Sequence, residues 1–327
     1  MIDFRYHLVS LIAVFLAVAL GIVIGTTALN GGLLDNLQTQ VSGLQEDKRS
    51  LEDTNQGLQA QLDSTGGFAE EVGPALVAGT LTGRSVLLVV GNEDVDTDAV
   101  DEITSLLGDA GATVNGTVRL NPAYSDPGSA SSLQNYLATQ GALPAGVELP
   151  TETSDTGELV ASLLAQVLMI PRAAEGSTSE APATTATAQV LGGLSTLGVL
   201  TQDSASVVAA DYAIFLTSGS LTGDDAAERN ATLVQLVTAL DRQGSGTVVS
   251  GDAGAAADGG LVGTIRADTE ASTLVSTVDN ANAPEGRIST VLALSTEGEG
   301  TSGKFGTGDD AQPVPPIPAT AGSGAGN

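Results

Sequence analysis

The hydrophobic pattern opens with an unbroken apolar run: from Leu8 to Leu29 no residue carries a charge. At about 1.5 Å of rise per helical residue, such a run crosses a hydrocarbon core about 30 Å thick, which predicts a membrane-spanning helix over 8–29. A cleaved secretory signal is the alternative, but its apolar core is typically only about 7–15 residues long and ends at a small-residue cleavage site. Here the run continues to Ile24 and is followed by Gly25-Thr26-Thr27-Ala28-Leu29-Asn30, so an uncleaved signal anchor fits better. Arg5 precedes the span, with His7 at its edge, and the first charge afterwards is Asp35. Cationic flanks stay cytoplasmic, so residues 1–7 are expected inside and the rest of the chain outside.

Beyond the span the period changes to heptads. Leu37, Leu44, Leu51 and Leu58 recur every seven residues, and Leu34, Val41 and Leu62 fill alternate core positions. This pattern over 33–64 predicts a coiled coil, with Lys48 and Asn55 as polar core positions that fix register. A parallel homo-oligomer through the four leucines is the reading favoured over one amphipathic helix packed on a later domain. Ser64-Thr65-Gly66-Gly67 is read as the break that ends the stalk.

From residue 80 to 297 the pattern alternates between short apolar runs and amphipathic stretches. Arg84–Val90 reads as a buried strand, Thr97–Asp109 as a helix stopped by Gly111, and Thr113–Leu120 as the next strand. Such a βαβ unit implies a parallel sheet covered by helices. Further helices are predicted at 129–140, 157–170, 190–200, 224–243 and 284–295, with strands at 207–217, 246–250, 275–278 and near Ile265. The whole reads as an extracytoplasmic α/β domain of Rossmann-like topology. Residues 174–189 are small, polar and aperiodic, and read as a flexible loop. The segment 298–327, ending PVPPIPATAGSGAGN, reads as a C-terminal segment and disordered tail.

Composition narrows the function. Acidic residues outnumber Lys plus Arg by 39 to 11, for a formal charge of -28, and such a surface repels nucleic acid and anionic lipid headgroups. With no cysteine, disulfides, thiolate metal sites and a Cys nucleophile are all excluded. The single histidine, His7, lies at the membrane edge, which removes every Ser-His-Asp arrangement. No catalytic residue and no cofactor are therefore expected, although a carboxylate pair in a sheet crevice remains an open acid–base alternative.

Four stretches carry candidate chemistry. Gly298–Lys304 matches the front of a P-loop, but Phe305 stands where a Ser or Thr must hold magnesium. Glu93-Asp94-Val95-Asp96-Thr97-Asp98 has the acids of a calcium loop, but Ala99 and Ser105 stand where an EF-hand needs Gly and Glu; helix capping by Asp96 and Asp98 is favoured. Gly251–Gly260 could approach a ligand closely, with Asp252 and Asp258 as handles and Arg266 as the nearest cation; a flexible connection is the simpler reading. Asp279 follows a strand where open α/β sheets bind ligands.

The opening MIDFRYHLVSLIAVFLAVALGIVIG, the stalk, the stretch VLLVVGNEDVDTDAVDEITSLLGDAGATV and the late block STVDNANAPEGRISTVLALSTEGEGTSGKFGTG together resemble the actinobacterial copper transport protein family MctB. The resemblance covers 1 to about 308 and leaves out the tail and 174–189. It implies an envelope protein of copper efflux and homeostasis, described for the family as channel-forming and associated with the outer membrane. Read from the residues alone, one apolar helix is an inner-membrane signature, and no series of alternating ten-residue segments predicts a barrel. Copper(I) prefers Cys and Met and copper(II) imidazole, yet the chain offers only Met1, Met169 and His7, so no metal ligand is assigned to a numbered position. The rival reading is an envelope scaffold that uses its stalk and acidic domain to bind a partner, with no transport role.

Overall fold

In the computed structural model, which describes residues 4–139, 141, 143–172 and 179–317 and, within 26–35, the backbone alone, the chain divides into two units, Met1–Thr65 and Gly66–Asn327. Helix α1 (Phe4–Val77) forms the first unit and ends in the second. Its segment Phe4–Gly25 is long and apolar enough to cross a membrane, and none of its side chains is buried. Leu37, Val41, Leu44, Leu51, Leu58 and Leu62 are exposed as well, a stripe at heptad spacing.

The break expected at Ser64–Gly67 does not interrupt the helix, which runs on to Val77, just past Pro74. A Cβ on Gly73 would stand 2.9 Å from Ile288 Cδ1, so this glycine serves close packing against a later helix of the same unit. Val77 is fully buried there.

The second unit follows from runs that alternate in period. Strand β1 (Ser85–Val90) is apolar at every position after Ser85, as a strand covered on both faces must be. Helix α2 (Thr97–Asp109) starts where Asp96 accepts a hydrogen bond from the Asp98 N–H at 3.0 Å, buries Val100, Ile103 and Leu107, and stops before Gly111, whose φ of 83° suits glycine. Strand β2 (Thr113–Leu120) then pairs parallel to β1.

Helices α3 (Ala130–Ala138), α4 (Thr156–Leu168) and α5 (Thr184–Thr196) follow, and α4 is capped by Asp155, which accepts from the Glu158 N–H at 2.9 Å. Strand β3 (Leu200–Gln202) turns back antiparallel on β2, and β4 (Tyr212–Leu216) enters the sheet beside β1. Helix α6 (Ala226–Gln243), β5 (Gly246–Ser250), the short helices α7 (Ala253–Ala256), α8 (Leu261–Ala267) and α9 (Ala271–Leu274), β6 (Ser276–Val278), α10 (Pro284–Gly298) and β7 (Lys304–Phe305) complete the unit.

The seven strands lie in the order β3-β2-β1-β4-β5-β6-β7, all parallel except β3. Alternation along the strands splits the core in two. Leu87, Val89, Ala213, Phe215 and Val249 face the side of α4, α5, α6 and α8; Val86, Leu88, Val90, Ile214 and Val248 face the side of α2, α10 and the end of α1. The domain is therefore a mixed α/β sandwich with a largely parallel sheet, as expected.

Local departures have physical causes. Ile265, read as a strand position, lies in helix α8 and is fully buried, because a short apolar run does not by itself distinguish helix from strand. Helix α5 begins at Thr184, inside the stretch 174–189 read as a flexible loop, and buries Thr187, whose hydroxyl donates to the Val167 carbonyl at 2.7 Å. Residues 174–178 of that stretch lie outside the described residues. The segment from Gly298 is not tail throughout: β7 adds to the sheet edge beside β6, and Phe305 is buried. The part of the expected disordered tail from 318 on lies outside the described residues.

Candidate functional site

The parallel strands reverse their order between β1 and β4, and such a switch opens a crevice outside the carboxyl ends of the two strands, the usual ligand position in open α/β sheets. The chain leaves β1 through Gly91, where a Cβ would collide with the Phe215 ring, so glycine is required. Asn92 then clamps the exit from β4: its Nδ2 donates to the Ser218 carbonyl at 2.6 Å, and the Ser218 N–H donates to its Oδ1 at 3.2 Å.

Asp252, read from the sequence as a ligand handle, is spent on the same scaffold. It accepts from Ser218 Oγ at 2.7 Å, the Gly219 N–H at 2.9 Å and the Ala255 N–H at 2.7 Å. Burial opposes its charge, but the hydrogen bonds from Gly219, Ser218 and Ala255 outweigh burial and hold the carboxyl below the usual range. Asp258 is exposed.

The crevice encloses about 190 Å³. Its walls come from the loops after β1, β2 and β4 and from α6 and α8, and its lining includes Tyr124, Ser125, Arg229 and Asn230. Tyr124 and Asn230 are only 3% and 2% exposed, yet Tyr124 Oη and Asn230 Oδ1 have no hydrogen-bond partner. The other end of the Asn230 amide is satisfied, donating to the Gly259 carbonyl at 2.8 Å. Burial pushes the Tyr124 hydroxyl well above its ordinary range, so it stays protonated and a donor. An unsatisfied buried polar group costs about 1–3 kcal/mol, and both of these atoms are closed off from solvent within the crevice wall. Half-buried Arg229 makes a long bond from Nε to Ser125 Oγ at 3.4 Å, and among the described residues no carboxylate forms an ion pair with it.

The acids Glu93 and Asp94 line the mouth and are exposed; Asp96 caps α2, as its spacing implies. Among the described residues no three His, Cys, Asp or Glu side chains gather as a metal site. Met169 is fully buried in the domain core, His7 lies on α1, and Met1 falls outside the described residues.

Asp279 does not reach the crevice. Its Oδ1 accepts from the Thr307 N–H at 2.6 Å, while its Oδ2 accepts from the Gly308 N–H at 3.1 Å and from Arg266 Nη1 at 2.7 Å. Arg266 also donates to Thr277 Oγ1 at 2.9 Å and, from Nη2, to the Phe305 carbonyl at 2.9 Å. Gly306, at φ 124°, has its hydrogen against the Asp279 carboxylate where any side chain would collide. Burial opposes the charge of Asp279, but the Thr307 N–H and Arg266 more than offset it and lower its pKa. The late GKFGTG block is thus a latch that ties β7 to β6. Lys304, the P-loop lysine look-alike, donates to the Arg266 carbonyl at 3.0 Å, and among the described residues no helix follows it.

Two carboxylates escaped the sequence reading. Glu297, 4% exposed near the end of α10, accepts from the Ser276 N–H at 2.7 Å, and Asp241 on α6 accepts from the Thr247 N–H at 2.9 Å. Burial, with a contribution from Asp241, pushes Glu297 up to about 8, and burial pushes Asp241 up to about 6. Only the glutamate had a visible signal, an acid closing the otherwise uncharged run VLALSTE.

A family model described as "Copper transport outer membrane protein, MctB" matches residues 1–316. The protein named copper transporter MctB from Mycobacterium tuberculosis (strain ATCC 25618 / H37Rv) is 31% identical over 318 residues, covering 96% of this chain and 99% of that relative. The protein of the same name from Mycobacterium leprae (strain TN) is 31% identical over 320 residues, with the same shares covered.

Proposed function

The chain belongs to the MctB copper transport family, and on that premise we propose that it is a single-span, membrane-anchored envelope protein that contributes to copper efflux and homeostasis. The observation that carries this reading is the match over residues 1–316, from the apolar helix to the latch around Asp279. In this reading residues 1–7 face the cytoplasm, 8–29 span the membrane, 33–64 pair in a parallel homo-oligomer through Leu37, Leu44, Leu51 and Leu58, and the domain from residue 80 stands outside. The solvent-facing side chains of Phe4–Gly25 support the anchor, and Leu44 and Leu51, 68% and 69% exposed, support the pairing. The protein is not an enzyme, and copper is its cargo rather than a resident cofactor. A single helix per chain cannot line a channel, so conduction requires a higher assembly or another protein. The family's outer-membrane association belongs to the same proposal.

A second reading rests on the acidic composition, a formal charge of -28, which suits a basic partner. In that reading the domain is a scaffold that holds a partner in the envelope. Cellular copper content decides between them. Cells lacking the protein are expected to accumulate copper and to tolerate it less, and a copy without residues 1–30 to fail to restore them. Unchanged copper content and tolerance would sink the transport reading and leave the scaffold.

A further inference from the structure

Away from the crevice, the end of α1 meets α2 and α10 over a groove of about 300 Å³ that opens to solvent. All three walls belong to the second unit. Pro74 of α1, Leu106 of α2, and Pro284 and Ile288 of α10 give the groove an apolar floor. The two prolines hold their backbone rigid and Ile288 is wedged against Gly73, so the floor is formed before anything binds. The rim is acidic. Glu70 on α1 and Glu102 and Asp109 on α2 stand exposed around the floor. Arg287 also lines the groove, but it is buried and spends its charge on Glu102, with Nη2 2.6 Å from Oε2, while its Nη1 donates to the Ala281 carbonyl at 3.3 Å. Glu70 and Asp109 form no ion pair among the described residues. Two uncompensated carboxylates therefore border an apolar strip from different helices, and the low-dielectric floor concentrates their negative potential.

We propose that this groove docks a basic amphipathic helix of a partner protein, which seats one or two large apolar side chains on the floor and sets lysine or arginine against Glu70 and Asp109. The volume lies at the small end of ligand sites, which run from about 300 to 1,000 Å³, and an open groove of that size suits a side-chain anchor better than an enclosed small molecule. Lysine and arginine stems cover the apolar edge while their heads reach the carboxylates. Like-charge repulsion turns away acidic peptides and anionic headgroups, and it turns away a second copy too, since the chain has 39 acids against 11 Lys and Arg. On the scaffold reading, on which this proposal rests, the groove is where the acidic domain takes its basic partner.

The test uses the full chain in phosphatidylcholine nanodiscs, with empty discs subtracted, titrated against a fluorescein-labelled helical peptide that has a leucine stripe flanked by lysines and followed by fluorescence anisotropy. A counterpart with serine in place of leucine keeps the charge and removes the anchor. Saturable binding of the leucine peptide is expected, about tenfold or more tighter than that of the serine peptide. Glu70→Lys with Asp109→Lys is expected to weaken it by about tenfold or more, whereas Glu152→Lys with Asp258→Lys, an equal change of charge at exposed positions outside the groove, weakens it by less than about threefold. Circular dichroism is expected to stay the same for both pairs. Should the first pair perturb the fold, Ser105→Trp fills the groove from an exposed position without changing charge, and is also expected to weaken binding. Absence of saturable binding, equal binding of the serine peptide, or equal weakening by the two charge pairs would each overturn the groove as the docking site. Self-association of the chain that the groove variants abolish would give the site to a second copy and overturn the basic partner. The scaffold reading itself falls only on the copper content of cells, so its failure and that of the groove are told apart.

Discussion

Phe4–Gly25 and Thr156–Leu168 are both apolar helices, and they end in opposite circumstances. In α4, Leu163 and Leu164 are fully buried, because α6, α5 and α3 lie against the helix. In α1, Phe15 is 67% exposed, and the apolar side chains around it are bare as well. Burying a leucine contributes about 1.5–3 kcal/mol, and under the proposed anchoring the exposed side chains of this 22-residue apolar helix gain it from a partner outside the chain. Length tells which partner. Thirteen residues reach about 20 Å and suit a domain layer, whereas twenty-two reach about 33 Å and suit a bilayer. The heptad leucines pose the same question at finer grain, since their two-position stripe fits a second helix.

The sharpest way to break this comparison is to place the same charge in both helices. Leu164→Arg buries a cation without a partner, a cost of several kcal/mol against a typical total stability of about 5–15 kcal/mol. The domain is expected to lose its cooperative unfolding transition by circular dichroism. Leu16→Arg with Leu20→Arg is expected instead to move the protein from the membrane fraction to the soluble one with the domain's spectrum intact, since each charge costs about 3 kcal/mol at the centre of a span. If both variants unfold the domain alike, the assignment of separate partners is wrong.

Asp279→Ala tests whether the late block is a latch. It leaves the partly exposed Arg266 without its counter-ion and frees the Thr307 and Gly308 N–H groups, and a loss of about 3 kcal/mol in denaturant melts is expected. A loss under about 1 kcal/mol would show that β7 holds its place without the carboxylate. Next in size, Leu44→Ala with Leu51→Ala removes two seam leucines per helix, worth about 1.5–3 kcal/mol each, and residues 33–317 are expected to turn from dimer to monomer by light scattering. A dimer that persists refutes the pairing.

The smallest effect concerns pH. Glu297 has a folded pKa of about 8 against an ordinary 4.5, so between those values the folded state keeps a proton that the unfolded state has released. Stability therefore falls as pH rises through that window. Glu297→Gln removes this decline and is expected to stabilise the domain by on the order of 2 kcal/mol near pH 6, with no gain below pH 4.5. Parallel stability–pH curves for the two proteins would remove the glutamate from the account.

Much of the framework was legible because it depends on neighbours along the chain. Strand β5 has the bounds its apolar run predicts, 246–250, and Asp96 caps α2 as an aspartate ahead of an amphipathic stretch should. The errors came where local pattern and packing disagree. Gly66 and Gly67 read as a break, yet the helix runs through them and past Gly73, where a later helix comes too close for any Cβ. Thr184–Gln189 reads as loop because it is small and polar, and Thr187 nevertheless joins the core by giving its hydroxyl to a helix carbonyl. Asp252, read as a ligand handle, and Asp279, read at a ligand position, are each consumed in holding loops together.

By itself, the order of residues determined the apolar span, the heptad stripe and the alternation of strand and helix, because periods of 2, 3.5 and 3.6 place side chains on faces within a single element. Tertiary structure alone decided that Arg229, Asn230 and Tyr124 line one cavity, that Asp279 and Arg266 close the sheet edge, and that burial, with Asp241 adding to it, raises the pKa of Glu297. Their partners lie far along the chain, and only the packing of helices on a seven-stranded sheet brings them within hydrogen-bonding and Coulombic reach.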